Sequence, residues 1–270
     1  MKILVIIKDT FRELLVRKTL IGFLIFNVLA LVGIAIFVNN DTITGIITAQ
    51  KKTMTPELYA TIAAGFETEV MAFFYVILIF ISIFSTASVI PSILEKGTID
   101  LYLSKPVARW ELLLGKILGS ILVVAANIGV FMAGAWIILS MRLGIWNTGF
   151  IAAAPVLLFA FVVLYSIVAM FNMLTRSSAV GIIVTYVHFI VVSSFLANRD
   201  KIFMFVESKF WHGVIDWAYY LLPQTSEQSH IASLLVTHGD IASWFPIWAS
   251  SIFAFVMFGF AGWLFQTRDF

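Results

Sequence analysis

The sequence predicts an all-α polytopic membrane protein: an N-terminal amphipathic helix followed by six transmembrane helices, all in one domain over residues 1–270. Three observations predict it. Hydrophobic residues make up 61% of the chain and charged residues 12%, about half the share of a soluble domain. The mean hydropathy is +1.02. Apolar runs long enough to cross the hydrocarbon, about 20 residues each, recur six times along the chain.

The first 18 residues are not a span. Ile3, Ile7, Phe11, Leu14 and Leu15 recur at helical spacing, with Lys8, Asp9, Arg12, Glu13 and Arg17 mostly on the other side. That pattern predicts a helix lying in the membrane interface, basic residues toward the headgroups. The spans follow at about 20–38, 70–94, 112–139, 150–174, 180–197 and 247–265. No small-residue cleavage site follows the first apolar run, so it is expected as a retained span.

Lysine and arginine placement sets the orientation. With the N-terminus inside, the inner segments hold Lys2, Lys8, Arg12, Arg17, Lys18, Lys96, Lys105, Arg109, Lys116, Arg176 and Arg268; only Lys51, Lys52, Arg142, Arg199, Lys201 and Lys209 lie outside. The expectation is a multi-pass protein of an inner or plasma membrane, with both termini cytoplasmic. Residues 39–64 are polar enough for a simple outer surface excursion. Residues 198–246 carry Trp211, Trp217, Tyr219, Tyr220 and Trp244 among other aromatics. Amphipathic rings favour the membrane boundary, which predicts short interfacial or re-entrant helices; an ordinary loop capping the bundle is the alternative.

Several chemistries are excluded. The chain has no cysteine, hence no disulfide, thiolate metal site or cysteine nucleophile. A net charge of +2 with no basic stripe argues against nucleic acid. The four histidines show no metal-ligand spacing. Gly115-Lys116 resembles part of a phosphate-binding loop, but Trp110 stands where the first glycine belongs and Ile117 replaces the hydroxyl. No carboxylate lies well inside the expected hydrocarbon, which argues against an ion-coupled transporter. The polar residues within spans, including Ser82, Ser85, Thr86, Asn127, Asn172, Tyr186 and His188, suit hydrogen bonds between helices. Ser82, Ser85, Thr86, Tyr186 and His188 are also the candidates for a weakly polar translocation path.

The most charged run is E-K-G-T-I-D-L-Y-L-S-K-P-V-A-R-W-E-L-L-L-G-K, residues 95–116. Pro91 loosens the end of the second span. Gly97 permits a sharp turn, and Thr98 caps a following helical turn. Ile99, Tyr102 and Leu103 then share one face. Pro106 ends that short helix and suits the first turn of the next, where Glu111 meets the positive end of the helix dipole. A short apolar-faced helix joined tightly to two spans has the form of a lever that docks in a partner's groove.

This run resembles the region between the second and third spans of ABC-2 type permeases, the transmembrane subunits of ABC exporters. It matches at Glu95, Gly97, Thr98, Ile99, Ser104, Pro106, Val107, Arg109, Gly115 and Lys116; Tyr102 and Lys105 depart toward a bulkier, more basic helix. The N-terminal K-D-T-F-R-E-L-L-V-R-K and the terminal Thr267-Arg268-Asp269-Phe270 also look like that family. The resemblance implies an elbow helix, six spans in a type V exporter-like fold, and interfacial or re-entrant helices before the last span. It implies two copies of a separate ABC ATPase, a second permease copy (a homodimer in the simpler case), and contact with membrane lipids. Residues 95–104, including Lys96 and Asp100, would form the coupling helix that seats on the ATPase. Pro106, Arg109, Gly115 and Lys116 would hold the next helix at headgroup level. The chain itself would bind no cofactor and catalyse nothing; ATP and magnesium would sit in the partner. The expected function is export of an amphiphilic or hydrophobic substrate (a lipid, peptide or drug). A mechanotransmission subunit and a membrane scaffold or assembly factor are the alternatives.

Overall fold

A computed structural model describes residues 2–95, 107–206 and 208–268. The described residues are 86% helical, and no strand occurs among them. The helices are α1 (Lys2–Val16), α2 (Thr19–Val38), α3 (Asp41–Thr53), α4 (Pro56–Thr86), α5 (Val89–Ile93), α6 (Arg109–Leu143), α7 (Thr148–Ala152), α8 (Ala154–Thr175), α9 (Ser178–Val187), α10 (Ser193–Ala197), α11 (Arg199–Phe203), α12 (Lys209–Leu221), α13 (Thr225–Val236) and α14 (Phe245–Thr267). Among them are six helical units long and apolar enough to cross a membrane: α2, α4–α5, α6, α7–α8, α9–α10 and α14.

The fourth unit is the most enclosed and the first and sixth are the most open. Helix α8 is apolar nearly all round, and a helix of that kind belongs inside a bundle. Val163, Leu164, Tyr165, Val168 and Ala169 are buried, while α9, α13 and α14 pack around it. Helix α6 forms the second axis and carries both α1 and α2. Polar side chains join the units where the apolar effect offers little. Asn27 Nδ2 donates to the Asn127 carbonyl at 3.0 Å, and Tyr165 Oη donates to Ser120 Oγ at 3.1 Å.

The second unit departs most from the sequence reading. It begins at Pro56 and runs 38 residues to Ile93, so part of the expected outer excursion is helix. Thr55 caps it, accepting from the Leu58 amide at 3.4 Å, and Pro56 occupies the first turn, where its missing N–H costs nothing. Tyr59, Ala63, Glu67 and Met71 recur every fourth residue and are all buried, so a continuous face packs inward although the surrounding sequence is polar. Near its other end, α4 stops at Thr86 and α5 resumes at Val89. Pro91 has no N–H to give the carbonyl four residues back, that of Ala87. Asn172 on α8 supplies the missing donor, with Nδ2 2.6 Å from the Ala87 oxygen.

In the fifth unit a π-helical turn, His188–Val192, separates α9 from α10. Inserted turns of this kind frequently mark functional sites. Residues 209–236 fold as two helices, α12 and α13, with their connection held between units. The Pro223 carbonyl lies 3.1 Å from His188 Nε2. The Gln224 amide donates to Ser250 Oγ on α14 at 3.2 Å, and Tyr75 Oη on α4 donates to the Thr225 carbonyl at 3.3 Å. Ser193 Oγ accepts from Thr225 Oγ1 at 2.8 Å and from the Ser226 amide at 2.9 Å. Non-helical backbone is tolerated at such positions when protein groups satisfy it. Helix α13 is packed inward, while Phe210, Trp211, Trp217 and Tyr220 on α12 are exposed.

Candidate functional site

The candidate site lies where α1, α5 and α6 meet, next to the charged run singled out in the sequence. Of the coupling residues expected there, Glu95 is described and is exposed. Lys96, Gly97, Thr98, Ile99, Asp100, Tyr102, Leu103, Ser104 and Pro106 lie outside the described residues.

Two glycines on α6 seat α1. A Cβ at Gly115 would lie 2.7 Å from Ile6 Cβ, and one at Gly119 would lie 2.7 Å from Thr10 Cβ. Only residues without a side chain admit this approach, a device common between membrane helices. With α1 this close, Lys116 is carried beneath it and is buried. Its ammonium lies 2.7 Å from Glu13 Oε2 and 3.1 Å from Asp9 Oδ2. Glu13 Oε1 accepts from Ser92 Oγ on α5 at 2.8 Å and pairs with Arg17 at 3.0 Å. One carboxylate therefore connects α1, the end of the second unit and the start of the third. The sequence reading expects Lys116 at headgroup level; the structure places it inside the protein, because Asp9 and Glu13 supply the counter-charges a buried ammonium needs.

Arg109 has a similar role at the first turn of α6. Its guanidinium donates to the carbonyls of Gln266 at 3.3 Å and Arg268 at 2.6 Å. Arg268 in turn donates to the Leu174 carbonyl at 2.7 Å. The open carbonyls at the ends of α14 and α8 favour such cations, so the two arginines tie the third, fourth and sixth units together at this end. Glu111 accepts from the Ala108 amide at 2.9 Å and so closes the start of α6. A cleft of about 430 Å³ opens beside the cluster. Arg12, Arg17, Ser92, Glu95 and Lys116 line it, so it leads from the buried ion pairs to the exposed start of the charged run.

The candidate path residues are not gathered in this cleft. Ser82 and Thr86 are buried and bond back to their own helix, at 2.6 Å to the Leu78 carbonyl and 2.7 Å to the Ser82 carbonyl. Ser85 is buried one turn from Ser82. Tyr186 donates to the Phe80 carbonyl at 2.7 Å and stacks on the Phe80 ring. His188 faces Pro223. Within one chain Tyr186 ties the fifth unit to the second and His188 ties it to the α12–α13 connection, while the three hydroxyls stay within the second unit.

One cluster was missed in the sequence. At the opposite end, Glu67 is 1% exposed and accepts from Asn147 Nδ2 at 2.6 Å. The same amide nitrogen donates to the Val236 carbonyl at 2.8 Å, while Asn147 Oδ1 accepts from the Gly149 amide at 2.9 Å. Asn147 before Thr148 is a helix-cap signal, but its partners 80 and 89 residues away are invisible to local pattern. Among the described residues no group of acids and histidines forms a metal site.

Six apolar helical units, an amphipathic helix laid against the third, and an inserted helix pair before the last define a multi-pass membrane protein of the transporter-permease class. The model of the family described as ABC-2 family transporter protein matches residues 4–270, and the chain belongs to that family. Membership makes it a transmembrane transport component and implies a partner ABC ATPase in general. No curated protein matches the chain.

Proposed function

We propose that the chain is the membrane subunit of an ATP-driven exporter. Two copies, most simply identical, pair with two copies of an ABC ATPase, and the substrate is amphiphilic or hydrophobic. Both termini and residues 95–116 face the cytoplasm of an inner or plasma membrane. ATP and magnesium bind the ATPase, and this chain holds no cofactor of its own. Residues 95–104 seat on the ATPase as a coupling helix.

The observation that carries this reading is the contact of Glu13 with both Ser92 and Lys116. Force delivered to the 95–104 segment reaches α5 first, because only Leu94 intervenes between α5 and Glu95. From Ser92 it passes through Glu13 to α1, and through Lys116 to the third unit. Buried charges resist separation, so these elements are expected to move as one body. The motion then opens and closes a path between the two permease copies.

The test is to co-purify the protein with the ABC ATPase encoded beside its gene and measure ATP hydrolysis for wild type and Glu95→Arg. A stable complex whose hydrolysis falls in the variant supports the proposal. No complex, or unchanged assembly and hydrolysis, contradicts it.

A further inference from the structure

Two arginines meet where α8 gives way to α9. Arg176 directly follows α8 in the left-handed backbone conformation, at a φ of 58°. Helices that end this way usually do so on glycine or asparagine, so the backbone gives no reason for an arginine, and the residue is exposed. Arg268 follows α14 and reaches across to α8, where its Nη2 donates to the Leu174 carbonyl at 2.7 Å. That bond brings the second arginine beside the first.

Among the described residues no acidic side chain forms an ion pair with Arg176 or Arg268. Glu111, at the start of α6, is engaged by the Ala108 amide and Lys2. The Leu174 carbonyl takes one edge of the Arg268 guanidinium, while Nη1 is buried and meets no acceptor. Burial, together with the like charge of Arg176, holds the Arg268 guanidinium below the usual arginine range. A buried charged donor without an acceptor is costly, and two neighbouring cations attract an anion that can reach both.

The level of the pair identifies that anion. Arg176 and Arg268 lie just past the ends of two spanning units, hence at a membrane surface. Helices α9 and α14 both pack along α8. Leu174 on α8, Val180 and Ile183 on α9, and Phe260 and Trp263 on α14 are exposed and apolar, and tryptophan near the end of a span belongs at headgroup height. A phosphate accepts from arginine forks in the geometry they offer, and basic pockets between spans recognise anionic lipid heads. A lipid uses both features of this end, the paired cations and the apolar surface leading away from them; a free phosphate uses only the first. We propose that Arg176 and Arg268 clamp the phosphate of an anionic membrane lipid whose chains lie along the exposed apolar surface of α8, α9 and α14. The bound lipid joins the turn between the fourth and fifth units to the end of the sixth. The site goes beyond the exporter reading and does not rest on it.

The test uses the permease alone in phosphatidylcholine nanodiscs. Phosphatidylglycerol and phosphatidylcholine probes with the same diazirine-bearing chain are compared, and labelled segments are mapped by mass spectrometry. The phosphatidylglycerol probe is expected to label 174–183 and 260–268 about tenfold more than the phosphatidylcholine probe, the size of one charge-assisted contact. Arg176→Gln, at an exposed position, should remove most of that excess in a protein with an unchanged thermal midpoint. Arg176→Lys keeps part of it, because the charge remains and the fork is lost. Lys8→Gln removes an equal charge from α1 and leaves the excess intact. Equal labelling by the two probes, undiminished labelling of Arg176→Gln, or an equal fall with Lys8→Gln overturns the site. Displacement of the lipid probe by inorganic phosphate makes this a free-anion site and overturns the lipid assignment. No ATPase is present, so failure here leaves the exporter reading standing, and failure of that reading leaves this site untouched.

Discussion

Lys116 and Glu13, 103 residues apart, form a 2.7 Å ion pair in which the lysine is buried. This pair converts an amphipathic N-terminal helix, which by pattern alone would float at the headgroups, into a fixed part of the bundle. It also places α1 in contact with the segment that reaches the proposed ATPase seat.

Replacing Lys116 with Met should be strongly destabilising. It leaves Glu13 and Asp9 facing each other without their cation, and breaking a buried pair costs about 3–5 kcal/mol. Asp9 keeps access to water, so the loss should fall at the low end of that range. Thermal unfolding in detergent gives the measure, and a Glu13→Gln/Lys116→Met double variant should lose less than the sum of the single changes. Additive losses would show that the two groups do not interact.

The glycine contacts lead to a second expectation. Gly115→Ala and Gly119→Ala each push α1 off α6, and overpacking of this kind costs about 1–3 kcal/mol. The displacement is read by spin-label distances between α1 and α6, which should lengthen. The same change at Gly129, where a Cβ meets nothing within 4 Å, should leave both stability and distance unchanged.

At the other end, Asn147→Asp should be worse than Glu67→Gln. The first sets one carboxylate against another and removes the donors to both Glu67 and Val236, each unsatisfied group costing about 1–3 kcal/mol. The second keeps an acceptor for Asn147 in the same place. Equal thermal midpoints for the two variants would contradict the network as described.

The α12–α13 connection should loosen when Ser193 becomes Ala. The Ser226 amide and Thr225 hydroxyl then lose their shared acceptor, at about 1 kcal/mol for a hydrogen bond between membrane helices. Hydrogen exchange of a peptide covering 223–228 should speed up roughly fivefold, with α8 unaffected. Unchanged exchange would mean that the turn is held by other contacts.

The six spans were legible because hydrocarbon thickness demands a long apolar run whatever the fold. The charged run between the second and third units stood out for the opposite reason, as polar sequence between two greasy ones. The pairing of charges was not legible. Lys116, Asp9 and Glu13 each look locally like headgroup contacts, and only the close approach at Gly115 and Gly119 makes them a buried cluster. Glu67 was hidden for a related reason. The apolar run begins at about Val70, so 56–64 read as part of an outer excursion and 65–69 were given to no span, although Thr55-Pro56-Glu57 carries the cap, proline and acidic first turn of a helix start. Likewise Arg109 read as a membrane anchor, because the carbonyls it meets at and just past the end of α14 lie 156–159 residues away.

The central claim is that residues 95–104 are where an ABC ATPase attaches. A photoreactive amino acid placed at Ile99 or Tyr102, in nanodiscs containing the permease and its neighbouring ATPase, tests it most directly. The account predicts crosslinks to the ATPase from both positions, altered in amount by ATP, and none from Trp146 at the opposite end. Absence of crosslinks from 99 and 102 in a complex that assembles, or equal crosslinking from 146, would contradict it.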